Sequence, residues 1–124
     1  QKALLDFNRA IRLVPFYSEA YCDAGLAFDE LGQRDKAVQA YSDAIQRNGS
    51  ISKYYAFRGN SLRGLERYDD AVEDFKKAIE LDPRNAVYWG DRGKSYIELS
   101  EFSKAVAELV ICTVRVRESA LALV

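Results

Sequence analysis

The chain repeats itself every 34 residues, and that period constrains its fold more than any other feature. Gly25, Gly59 and Gly93 stand at that step, as do Ala3, Ala37, Ala71 and Ala105. A third column runs Ala10, Ala44, Ala78 and then Cys112. An aromatic column runs Phe7, Tyr41 and Phe75 and ends at Leu109; an aliphatic one runs Ile11, Ile45 and Ile79 and ends at Thr113. Another aromatic slot holds Tyr21, Tyr55 and Trp89. A unit this short cannot bury its own apolar face, so it must stack against its neighbours in a linear array.

Each unit reads as two helices. Between Glu19 and Leu31 the apolar and small residues Ala20, Tyr21, Ala24, Gly25, Ala27, Phe28 and Leu31 recur at three- and four-residue steps. Ala37, Val38, Tyr41, Ala44 and Ile45 do the same in the second half of the unit. Breaks fall at Val14-Pro15, Leu31-Gly32, Asn48-Gly49 and Asp82-Pro83. Ser18 and Ser52 are candidate N-caps of first helices, and Asp35, Asp69 and Ser103 occupy one slot opening the second helices. The pattern predicts second helices over about 2–14, 35–47, 69–81 and from 103 onward, and first helices over about 18–31, 52–65 and 86–99. That is an all-α chain of seven helices.

Mid-helix glycine costs about 1 kcal/mol against alanine. Its recurrence at 25, 59 and 93 predicts close approach of the paired helix, with Ala37, Ala71 and Ala105 as the small residues that allow it. A second correlation joins the two helices of a unit. The residue before the glycine is Ala24, Arg58 or Arg92, and 15 residues after the glycine stand Ala40, Asp74 and Glu108. Arginine occurs only where the second helix offers an acid, which predicts intra-unit ion pairs Arg58–Asp74 and Arg92–Glu108. Asp6 occupies the same acidic slot in the first half-unit.

These residues resemble the tetratricopeptide repeat. Its W-x2-L-G-x2-Y…A-x3-F…P pattern is met by Tyr55, Gly59, Leu62, Ala71, Phe75, Ala78 and Pro83. The third unit supplies Trp89, Gly93, Tyr96 and Ala105; the first supplies Tyr21, Gly25, Phe28, Ala37, Tyr41 and Ala44. The resemblance implies one domain: a half-unit at 1–17, units at 18–51, 52–85 and 86–119, and a helix extension or the start of a truncated element at 120–124. It further implies an α-solenoid, a right-handed superhelix of antiparallel helix pairs, whose first helices line a concave groove for a partner's peptide segment.

Carried onto this chain, the family's groove slots are Glu19, Cys22, Asp23, Leu26, Asp29 and Glu30, then Lys53, Ala56, Phe57, Asn60, Arg63 and Gly64, then Val87, Gly90, Asp91, Lys94, Ile97 and Glu98. Their net charges by unit are −4, +2 and −1, which suits a partner with basic residues facing the first unit and an apolar anchor near Phe57. Chaperone-binding members use a carboxylate clamp of two lysines, two asparagines and an arginine. The corresponding slots here hold Cys22, Leu26, Phe57, Val87 and Asp91. None matches, and in a register one unit earlier, where the slots hold Asp23, Lys53 and Phe57, only Lys53 does, which argues against recognition of acidic chaperone tails.

Composition narrows the function classes. The 124 residues contain no histidine, which removes Ser-His-Asp and Cys-His nucleophile pairs and every His-containing zinc site. No carboxylates form an acid/base constellation, so the expectation is a non-catalytic scaffold with no cofactor and no metal. A net charge of −1 offers no bulk field for nucleic acid, and no basic stripe with stacking aromatics is present. No apolar run approaches the ~20 residues of a membrane span. Cys22 and Cys112, 90 residues apart, form no disulfide framework and suit a cytoplasmic or other reducing compartment; no targeting signal is visible in the chain. An alternative function comes from the ends. Leu4, Leu5, Phe7, Ile11 and Leu13 lack a paired helix, and Leu109, Ile111, Val114, Val116, Leu121, Leu123 and Val124 lack a following unit. Open ends of this kind would support a self-associating homo-oligomer, by dimerisation or head-to-tail stacking.

Overall fold

A computed structural model describes residues 17–122. They form six α-helices and, among the described residues, no strand. These are α1 (Ser18–Glu30), α2 (Arg34–Arg47), α3 (Ser52–Gly64), α4 (Tyr68–Leu81), α5 (Ala86–Glu98) and α6 (Phe102–Ala122). The seventh expected helix, over 2–14, lies outside the described residues, as do Asp6 and the apolar residues of that segment.

Helices pair as α1 with α2, α3 with α4 and α5 with α6; α2 then packs on α3 and α4 on α5. Across units, α1 touches α3 and α3 touches α5, whereas α2, α4 and α6 touch none of one another. First helices therefore crowd together while second helices splay apart. The array curves, and α1, α3 and α5 line its inner side.

The turn inside each unit is the same backbone device used three times. After α1 the Gln33 N–H donates to the Phe28 carbonyl at 2.9 Å; Arg67 donates to Leu62 and Glu101 to Tyr96 at the same distance. This closure needs one residue in the left-handed region. Gly32 supplies it at φ 76°, but Glu66 (φ 63°) and Ser100 (φ 61°) hold it without glycine's freedom. Helix starts differ from expectation. The N-cap positions of α1 and α3 are Tyr17 and Ile51, with no side-chain cap, and Ser18 and Ser52 sit one residue inside. Asp35 and Asp69 lie in the first turns of α2 and α4, where they oppose the helix dipole without capping. Ser103 likewise lies one residue inside α6. Asn85 is the residue that caps, accepting from the Val87 N–H at 3.0 Å.

The core is a series of small clusters threaded along the array. Tyr21, Cys22, Ala37, Tyr41, Ala44 and Tyr54 form one, Leu62, Ala71 and Phe75 another, and Ala56, Ala78, Ile79 and Tyr88 a third. The repeat glycines are places of close approach, and the atoms nearest them belong to large side chains of the paired helix. A Cβ on Gly25 would collide with the Tyr41 ring, one on Gly59 would lie 2.9 Å from Phe75 Cε1, and one on Gly93 would lie 3.2 Å from Leu109 Cγ. A large side chain of the second helix lies across each glycine, a ring at Gly25 and Gly59 and Leu109 at Gly93.

Candidate functional site

The inner face is a row of side chains from α1, α3 and α5, and the structure sorts the expected groove residues into three groups. Leu26, Glu30, Gly64, Val87, Lys94, Ile97 and Glu98 are exposed. Glu19, Asp23, Asp29, Lys53, Phe57, Asn60, Arg63 and Gly90 are half-buried. Cys22, Ala56 and Asp91 are buried. Cys22, at 1% exposure, belongs to the first core cluster and offers a partner no surface. Burial, with the nearby Glu19 charge adding to it, pushes its thiol up to about 12, so it stays a neutral packing group.

Several half-buried groups are spent on holding neighbouring first helices together. Glu19 on α1 accepts from Lys53 Nζ at 2.9 Å and from the Tyr54 hydroxyl at 3.0 Å, both on α3. The Lys53 hydrogen bond holds the Glu19 carboxyl below its usual range, and Glu19 in turn raises Lys53. Asp29 accepts from the Tyr41 hydroxyl at 2.6 Å and from Ser61 Oγ at 2.8 Å, joining α1, α2 and α3 through one carboxylate. Phe57 leans on the core, its ring 5.8 Å from that of Tyr41. Asp91 on α5 receives Asn60 Nδ2 at 3.5 Å and stands 3.9 Å from Arg63 Nη1, which leaves Asn60 Oδ1 and Arg63 Nη1 without hydrogen-bond partners.

What remains available to a partner is narrower than the row of slots. Leu26, Val87 and Ile97 present apolar surface. Asp23 and Lys94 have no hydrogen-bond or ion-pair partner among the described residues, and burial together with the Glu19 charge raises the Asp23 carboxyl. At the far end of α3 and α5, Arg63, Tyr68, Lys94, Ile97 and Glu98 line a cavity of about 260 Å³.

The intra-unit arginines lie away from this face. Arg58 reaches Asp74 with two parallel bonds, Nε at 2.8 Å and Nη2 at 2.7 Å, while its Nη1 donates to Ser42 Oγ of the preceding unit at 3.1 Å. Arg92 meets Glu108 through one bond of 2.8 Å, and Arg92 Nε and Glu108 Oε2 are left unpartnered. Burial outweighs the pull of Arg58 and raises the Asp74 carboxyl, so the pair is costly to desolvate.

One 34-residue column carries structure that the sequence reading passed over. Ala20, Tyr54 and Tyr88 share a slot, and both tyrosines reach back one unit: Tyr54 OH lies 3.0 Å from Ser18 Oγ, and Tyr88 OH lies 3.1 Å from Ser52 Oγ. The hydroxyls expected to cap helices thus link units. The signal was the buried tyrosine beside the aromatic slot, repeated with serine 36 residues before it.

Among the described residues no group of His, Cys, Asp and Glu could hold a metal ion, and no helix is long and apolar enough to cross a membrane. Tetratricopeptide repeat profiles match residues 18–50 and 52–85. Among solved structures, MamA superposes with a TM-score of 0.91 at 20% identity, over 94% of this chain and 68% of that one. The TPR domain of Arabidopsis OM64 gives 0.77 at 31% identity, over 79% and 81%. The second TPR of Spaghetti (RPAP3), bound to the HSP90 peptide SRMEEVD, gives 0.76 at 22%, over 78% and 90%. No curated protein sequence matches the chain.

Proposed function

The chain belongs to the tetratricopeptide repeat family of protein-interaction modules, and from that premise we propose that it binds a peptide segment of a partner protein along α1, α3 and α5 and catalyses no reaction. The observation that carries this reading is the inner face itself. First helices contact each other from unit to unit, and Asp23, Leu26, Val87, Lys94 and Ile97 are among the side chains left open along them. Apolar anchors flanked by unpaired charges suit an extended or helical segment with a basic residue towards Asp23. The clamp slots argue for a ligand other than an acidic chaperone tail, since Cys22 and Asp91 are buried and Leu26, Phe57 and Val87 donate no side-chain hydrogen bond. Peptides selected on this chain from a random display library test the reading. Leu26→Glu and Val87→Glu should each weaken selected peptides at least about tenfold, while Lys77→Glu on α4 should not. Peptides indifferent to both inner-face changes would contradict it.

A second reading rests on α6. Val106 is 61% exposed and Val110 57% exposed, yet their counterparts one and two units earlier lie on helices covered by α3 and α5. With Leu109, Val114 and Val116 they leave an apolar face that a second copy would cover. A mass that stays monomeric at every concentration would remove this reading.

A further inference from the structure

The open side of α6 carries a regular pattern. Ala105 and Glu108 are buried and fix the helix against α5, Glu108 through its ion pair with Arg92. On another side stand Phe102, Val106, Leu109, Thr113, Val116 and Ala120, at alternating steps of four and three residues, and all six are exposed. Such alternation makes a straight seam, the pattern by which two helices lie side by side over several turns. In α2 the same stripe, Val38, Tyr41 and Ile45, packs into the core beneath α3 and ends where the helix ends. In α6 it continues through Val116 to Ala120. No member of the seam is charged, and along its rim Ser103, Ala105, Val110, Cys112, Arg117 and Ser119 include one charge, on Arg117.

A following first helix fits this seam poorly. First helices here have 13 residues, about 20 Å at the helical rise, while the seam from Phe102 to Ala120 runs about 27 Å. The polar contact is missing as well. Arg58 Nη1 of α3 donates to Ser42 Oγ of α2 at 3.1 Å, and the counterpart of Ser42 in α6 is Val110. A second α6 fits on both counts. Laid antiparallel, it sets Phe102 against Ala120, Val106 against Val116 and Leu109 against Thr113, so that the largest residue faces the smallest. Laid parallel, it would crowd Phe102 against Phe102 and leave a gap between the two Ala120 side chains. The antiparallel register also brings Arg117 opposite Ser103 rather than a like charge. We infer that α6 pairs antiparallel with α6 of a second copy of this chain, along this seam and across a two-fold axis beside Val110. The inference rests on the second reading above and gives it a register and a closed stoichiometry, a dimer rather than a filament.

The test follows the mass of the chain by sedimentation equilibrium over a concentration series. The chain should form a dimer, and Val106→Glu should weaken it at least about tenfold by burying an unpaired charge. Adding Val116→Lys to that variant should restore the dimer, because the antiparallel register sets each new acid against a new lysine. A parallel register would set like against like and weaken the dimer further. In a Cys112→Ala background, Val110→Cys should cross-link through a short bis-maleimide; Cys112→Ala alone, left with the buried Cys22, should not. Leu26→Glu on the inner face should leave the dimer intact. A dimer indifferent to Val106→Glu would overturn the seam and leave self-association standing. A dimer that Val116→Lys fails to restore, or that does not cross-link at position 110, would overturn the antiparallel register. A monomer at every concentration would overturn the pairing and the second reading with it. The substituted seam positions are exposed, so thermal melts at dilution should match the parent chain and separate lost pairing from lost fold.

Discussion

Six positions on the 34-residue lattice set opposite demands on the backbone. At 25, 59 and 93 glycine is kept for space; at 32, 66 and 100 a left-handed turn is required and glycine fills only the first. Helix propensity alone would favour alanine at all three packing positions by about 1 kcal/mol. At Gly25 the rigid Tyr41 ring blocks the new methyl, whereas at Gly93 the neighbours, Leu109 Cγ at 3.2 Å and Glu108 Cβ at 3.3 Å, need give only a few tenths of an ångström. Gly25→Ala should therefore cost about 1–2 kcal/mol net, and Gly93→Ala should cost less. Equal losses in denaturant titrations would refute this graded account. In the turns, Glu66→Gly and Ser100→Gly remove the strain of a positive φ and should each add about 0.5–1 kcal/mol.

At the scale of helices, the sequence made the pairing legible because every helix repeats a three-to-four-residue apolar spacing between strong breaks. Arg58 and Asp74 are 16 residues apart in the chain and 2.7 Å apart in space, a relation carried by the covarying slot. Details that depend on one residue's depth were not legible. Ser18 and Ser52 have cap chemistry, but the cap position falls one residue earlier, and their hydroxyls meet tyrosines of the next unit. Cys22 and Leu26 are one helical turn apart, yet the turn towards α2 buries one and exposes the other. The first unit, with Ala24 and Ala40, shows that the arginine–acid slots can be filled without charge. Arg58→Ala should therefore cost about 3–5 kcal/mol by stranding a buried Asp74, and adding Asp74→Ala should recover part of that loss. The pH dependence has a definite sign. Burial raises the Asp74 carboxyl in the folded state, so protonation favours folding, and that contribution is lost as pH rises through the raised value. The penalty of Arg58→Ala should shrink on acidification; a constant penalty from neutral to acid pH would contradict a stranded charge.

Across the whole molecule the units are alike in fold and unlike in surface. Glu19–Lys53 and Asp29–Ser61 tie the first unit to the second through charged and polar bonds, while Asn60, Arg63 and Asp91 tie the second to the third through longer and incomplete ones. The junction with the longer bonds carries the cavity. At the far end α6 runs 21 residues, against 14 for α2 and α4, and passes unbroken through the positions where those helices stop. Period and composition located these surfaces but could not say which side chains the junctions use up. Isotope-labelled chain titrated with a selected peptide measures the central claim directly, through amide shifts assigned residue by residue. The account predicts perturbations concentrated at Asp23, Leu26, Val87, Lys94 and Ile97, with α2 and α4 unchanged. Perturbations confined to Val106, Val110 and Val114 on α6 would contradict it.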